Sequence, residues 1–117
     1  MRIPEAGDTI VALSTAPGTG AIAVIRLSGP EALAFVDAMF IPSRKGVTLL
    51  EAEGNTAHFG RIMDGENVLD EVVVTVFRAP HSYTGEDVAE VSCHGSPYIQ
   101  QRLLELLTSR GIRQAGP

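Results

Sequence analysis

The sequence holds one cysteine, no tryptophan, two tyrosines and four phenylalanines among 117 residues. A lone thiol, Cys93, cannot form an internal disulfide, which places the chain in a reducing compartment. Sparse aromatics leave the core to valine, isoleucine, leucine and alanine. No apolar run approaches the ~20 residues that a bilayer-spanning helix needs. The opening Met1-Arg2-Ile3-Pro4-Glu5 lacks the basic-then-apolar layout of a secretory signal. The chain therefore reads as cytoplasmic, with no membrane attachment. Positive charge is also short: nine basic residues face fourteen acidic ones, a net charge of −5. That excludes a domain that grips a phosphate backbone by itself, and contact with nucleic acid would need another domain or partner.

What is present fits one globular domain over 1–117, with 44% hydrophobic and 20% charged residues. Residues 9–13 (TIVAL) and 21–27 (AIAVIRL) read as two strands that pair, joined by the turn formers of 14–20. In the second strand Arg26 shares a face with Ile22 and Val24, while Ala21, Ala23, Ile25 and Leu27 line the other. Ser28-Gly29-Pro30-Glu31 signals a helix start, with Pro30 at the first helical position. The stripe of Ala32, Phe35, Val36, Met39 and Phe40 carries that helix to about Phe40, and 41–54 reads as loop. Strands at 56–63 and 68–77 flank Asp64-Gly65-Glu66-Asn67, a hairpin signal. Another strand, 87–93, places Ala89, Val91 and Cys93 on one face and Val88, Glu90 and Ser92 on the other. A second helix begins with Ser96 as cap and Pro97 at the first turn, and buries Ile99, Leu103, Leu106 and Leu107. It stops at Gly111, after which the chain extends again. The fold class is α+β, with a mostly antiparallel sheet and two main helices.

Several motifs carry candidate chemistry. Gly18-x-Gly20-x-x-Ala23 has the outline of a dinucleotide fingerprint, but a strand follows where the mechanism requires a helix N-terminus, so a hairpin turn is expected. No G-x-x-x-x-G-K-[ST] occurs, so the chain is no GTPase or kinase by itself. His58, His81, His94 and Cys93 lack structural zinc spacing, and the side chains of Cys93 and His94 should diverge on an extended segment. Cys93 reads as a small buried hydrophobe, and neither Cys93 nor Ser92 has the surroundings of a nucleophile. Glu90 stands in an apolar strand, and Arg26 is the only charge from Thr9 to Leu27. The two either pair with each other or flank a polar heterocycle, since Glu accepts paired N–H donors and Arg holds carboxylates or stacks.

In serial order, Asp8-Thr9-Ile10-Val11-Ala12, Pro17-Gly18-Thr19-Gly20 and Ile25-Arg26-Leu27-Ser28-Gly29 resemble the N-terminus of the MnmE (TrmE) tRNA-modification GTPases. Ser82-Tyr83-Thr84-Gly85-Glu86-Asp87, Glu90, His94-Gly95 and Arg113-x-Ala115-x-Pro117 continue the likeness. Ser96 departs from it, standing where the family has a second glycine after His-Gly.

The resemblance implies the tetrahydrofolate-binding fold of the glycine-cleavage aminomethyltransferases, a 5-formyltetrahydrofolate-type one-carbon carrier as ligand, and a homodimer. It assigns folate contacts to Arg26 and Glu90, and places a third contact, a lysine, beyond Pro117. It makes the chain the N-terminal part of a longer protein, whose GTP, Mg and K sites belong to a GTPase domain outside this sequence. That parent would modify the wobble uridine of tRNA together with an MnmG-type flavoprotein. The fragment itself is expected to have no catalytic residue and no metal site. Two alternatives stand beside this reading: a pure dimerisation scaffold, and a free-standing folate-dependent aminomethyltransferase-like enzyme.

Overall fold

In the computed structural model, which describes residues 8–14, 21–82 and 84–115, alternating apolar strands assemble into a seven-stranded sheet. The strands are β1 (Ile10–Leu13), β2 (Ile22–Ser28), β3 (Phe40–Pro42), β4 (Thr56–Asp64), β5 (Asn67–Phe77), β6 (Val88–His94) and β7 (Arg113–Gln114), in the spatial order β3-β4-β5-β6-β2-β1-β7. All pairings are antiparallel except β1 with β7. The expected α+β class is what the chain adopts.

Period-2 alternation decides which face is covered. Ala23, Ile25 and Leu27 of β2, Val72, Val74 and Val76 of β5, and Ala89, Val91 and Cys93 of β6 are buried in one cluster. Helices α1 (Ala32–Asp37) and α2 (Pro97–Ser109) add Leu33, Val36, Leu103 and Leu107 to that cluster, so both helices lie on the same side of the sheet. The other face carries Ile22, Val24 and Arg26, then Glu90, Ser92 and His94, and none of these is fully buried.

The hairpin forms as read: Asp64 pairs with Asn67 around Gly65, whose φ is 63°. A bidentate contact ties its tip to α2. Arg102 donates from Nε and Nη2 to the two carboxylate oxygens of Asp64 at 2.7 and 2.9 Å, which holds that carboxyl below its ordinary range.

The first helix differs from expectation. It has six residues rather than running to about Phe40, and Pro30 precedes its cap Glu31 instead of opening its first turn. Pro42 keeps the segment after the helix extended. A proline disfavours the helical region for the residue before it, and it is tolerated on a sheet edge. Ile41 is thereby held extended, and Phe40–Pro42 pairs as the edge strand against Gly60–Ile62. Residues 41–54 are accordingly not all loop: besides β3 they contain a 3-10 turn, Leu49–Glu51, which buries Leu49. Asp37 fastens that turn, accepting from Leu49 N and Thr48 Oγ1. In α2, Leu103 and Leu107 are buried as expected and Ile99 and Leu106 partly so, joined by Gln100. Ser96 sits at the cap position, but its side chain makes no capping hydrogen bond.

The turn formers of 15–20, including Pro17-Gly18-Thr19-Gly20, lie outside the described residues, as do Tyr83 and Pro117. The segment after those glycines is strand β2, so no helix follows them to receive a pyrophosphate. Among the described residues, no helix is long and apolar enough to cross a membrane.

Candidate functional site

The open sheet face is built by register. Arg26 stands directly opposite Glu90, and Glu90 opposite Thr75. One pleat further along, Val24, Ser92, Val73 and Phe59 form a second row, and Ile22 faces His94 in a third. Polar groups thus occupy one end of the face and large apolar groups its middle. At the polar end Thr84 meets the last residue of β2: Ser28 Oγ and Thr84 Oγ1 lie 2.5 Å apart, and Ser28 is fully buried.

Arg26 and Glu90, both singled out in the sequence, are brought together. Nε of Arg26 donates to Glu90 Oε2 at 2.7 Å, and Nη2 lies 2.5 Å from the same oxygen. Their side chains are about three-quarters covered, at 24% and 23% exposure. All this contact falls on Oε2. Glu90 Oε1 accepts no hydrogen bond from a described residue and keeps its lone pairs.

Cys93 points the other way, into the core between the sheet and α2, while His94 is exposed, so the two diverge as expected. Burial, with help from the Asp70 carboxylate, pushes the Cys93 thiol up to about 11. A thiol held neutral and covered is a poor nucleophile. Ellman's reagent at about pH 8 is therefore expected to label Cys93 only as the chain opens, with a rate that climbs with denaturant. Complete labelling on mixing with the native chain would contradict this. Among the described residues, no group of three or more His, Cys, Asp and Glu is placed to hold a metal ion.

One constellation went unnoticed in the sequence. Asp70 Oδ2 accepts from the backbone N–H of His94 at 2.8 Å, and Asp70 Oδ1 lies 2.6 Å from His94 Nδ1. The signal was available, since Asp70 occupies the inward phase of β5 set by Val72, Val74 and Val76. An acid in that phase must find donors.

The family model for the GTP-binding protein TrmE N-terminus matches residues 9–117. The chain belongs to that family. Relatives named tRNA modification GTPase MnmE include those of Bacteroides thetaiotaomicron, 54% identical over 110 residues, and Christiangramia forsetii, 54% identical over 108. The Porphyromonas gingivalis relative is 47% identical over 110 residues. These matches cover 94%, 92% and 94% of the chain, and 23% of each relative. The chain thus spans about a quarter of the length of the MnmE relatives it matches. The TrmE N-terminal match takes in the whole open face, from Arg26 to His94.

Proposed function

We propose that this chain is the folate-binding and dimer-forming module of a tRNA-modification GTPase. In that role it takes a 5-formyltetrahydrofolate-type carrier on the open sheet face, and the GTP, Mg and K sites and the contacts with tRNA and an MnmG-type flavoprotein belong to other parts of the parent. One observation supports it above the rest: Glu90 is held in place through Oε2 while Oε1 remains an acceptor. A pterin edge presents adjacent N–H donors, and a fixed carboxylate oxygen is the acceptor they require. Arg26 fixes the carboxylate and supplies the cation beside it.

The same ion pair also favours a second reading, a dimerisation scaffold in which the Arg26–Glu90 pair is structural and takes no ligand. Glu90→Ala separates the two. A hydrogen bond to a charged group contributes roughly 1.5–3 kcal/mol. On the folate reading the substitution weakens 5-formyltetrahydrofolate binding by about ten- to a hundredfold, as read by calorimetric titration. On the scaffold reading the melting temperature falls and affinity stays level. Unchanged affinity in a folded variant removes Glu90 from the site, and a wild-type dimer that binds no folate supports the scaffold. Light scattering on the same samples reports the dimer.

A further inference from the structure

The Asp70–His94 pair takes no part in the reading above, yet it has the form of an oriented acceptor. Asp70 is only 9% exposed, and His94 occupies both of its carboxylate oxygens. A carboxylate accepts and does not donate, so the His94 nitrogen facing Asp70, Nδ1, is the one that carries a proton, and in the neutral ring Nε2 is the acceptor. The imidazole is 69% exposed, and Nε2 makes no hydrogen bond to a described residue. Beside it lies a hollow of about 180 Å³ bordered by Ile22, Phe59, Val73, Ser92 and Glu71. Ile22 and Phe59 are large apolar side chains left in the open, at 64% and 52% exposure.

The polar equipment distinguishes the two ends of the face. A heterocycle with several donors needs a charged acceptor, which the Glu90 end supplies. The His94 end offers the apolar walls of Ile22, Phe59 and Val73 and an acceptor whose orientation Asp70 fixes, which suits an aromatic ring bearing one N–H. Glu90 and His94 lie on the same side of β6, four residues apart, or about 13 Å at the rise of a strand. A two-ring ligand laid along the strand would meet both. Glu71, opposite Arg61 in register, also borders the hollow.

We propose that Asp70 and His94 form a second subsite, in which His94 Nε2 accepts the N–H of the aryl-amide part of the bound carrier and Ile22, Phe59 and Val73 cover its ring. This rests on the folate reading and adds a residue pair and a ligand portion to it. Asp70 is the positioning residue, because it reaches the ligand only through His94.

The probe is p-aminobenzoyl-glutamate, which has the aryl amide and lacks the pterin. Titrated into the isotope-labelled chain, it is expected to shift the His94 ring resonances, and to do so equally in Glu90→Ala. His94→Ala is expected to abolish binding of the probe and to weaken 5-formyltetrahydrofolate about tenfold, the loss of one hydrogen bond and its packing. Silence at His94 with millimolar probe overturns the subsite, as does full folate affinity in a folded His94→Ala. Should that variant not fold, the wild-type resonances still decide. If the wild type binds the probe at His94 but no folate, the proposed function fails and the aryl-amide subsite survives. If folate binds through Glu90 without a response at His94, the reverse holds.

Discussion

Gly29→Ala is expected to cost about 4 kcal/mol of stability, from roughly 1–3 for the backbone conformation and 1–3 for overpacking. Gly29 has a φ of 140°, a region that side-chain-bearing residues rarely enter. A Cβ there would lie 2.6 Å from both Asp8 O and Thr9 Cα. These are backbone atoms at the start of β1, where Thr9 Oγ1 also accepts from Glu31 N to orient the entry into α1. The chain cannot yield without disturbing the first strand and the first helix together. Gly65→Ala is the control: φ is 63° and a Cβ would meet nothing within 4 Å. That change should cost only about 1–2 kcal/mol. Denaturant midpoints of the two variants test the argument, which fails if Gly29→Ala proves the milder.

Ile25→Ala is expected to remove about 2–5 kcal/mol, the range for deleting a buried aliphatic side chain. Ile25 is wholly buried and pairs with Leu13 on one side and Val91 on the other. It is also the inward neighbour of Val24 and Arg26, so the cavity opens directly beneath the proposed binding face. For a domain of this size such a loss lowers the melting temperature by on the order of 10–25 °C. A shift of only a few degrees would show that the helices collapse into the space, and that the sheet does not depend on this layer.

Much of this architecture was legible because strands write their faces at period 2. Arg26 against Ala23, Ile25 and Leu27, and Glu90 against Ala89, Val91 and Cys93, could be assigned to opposite faces from alternation alone. Their adjacency could not, since it depends on β2 and β6 pairing at a sequence separation of 64 in the register Arg26–Glu90. The error at α1 has a local cause. Met39 and Phe40 continue the helical stripe, but Pro42 acts on Ile41, and pairing of Phe40 with Ile62 then overrides the stripe. Asp70 was missed for a different reason: its partner is brought in by the β5–β6 ladder, and no local spacing announces it.

The placement of β1 bears on how the chain must be made. Of the seven strands β1 is made before the rest, yet its outer neighbour β7 supplies Arg113 and Gln114, more than a hundred residues later. Arg113 Nε donates across the same junction to Asp8 at 2.9 Å, and Ala115 N to Val11 O at 2.8 Å. During vectorial synthesis β1 therefore waits with one edge unsatisfied, while the local β4–β5 hairpin can already close. Long-range closures of this kind slow folding and expose edges to other chains. The nascent domain is most prone to misassociate until β7 clears the exit tunnel.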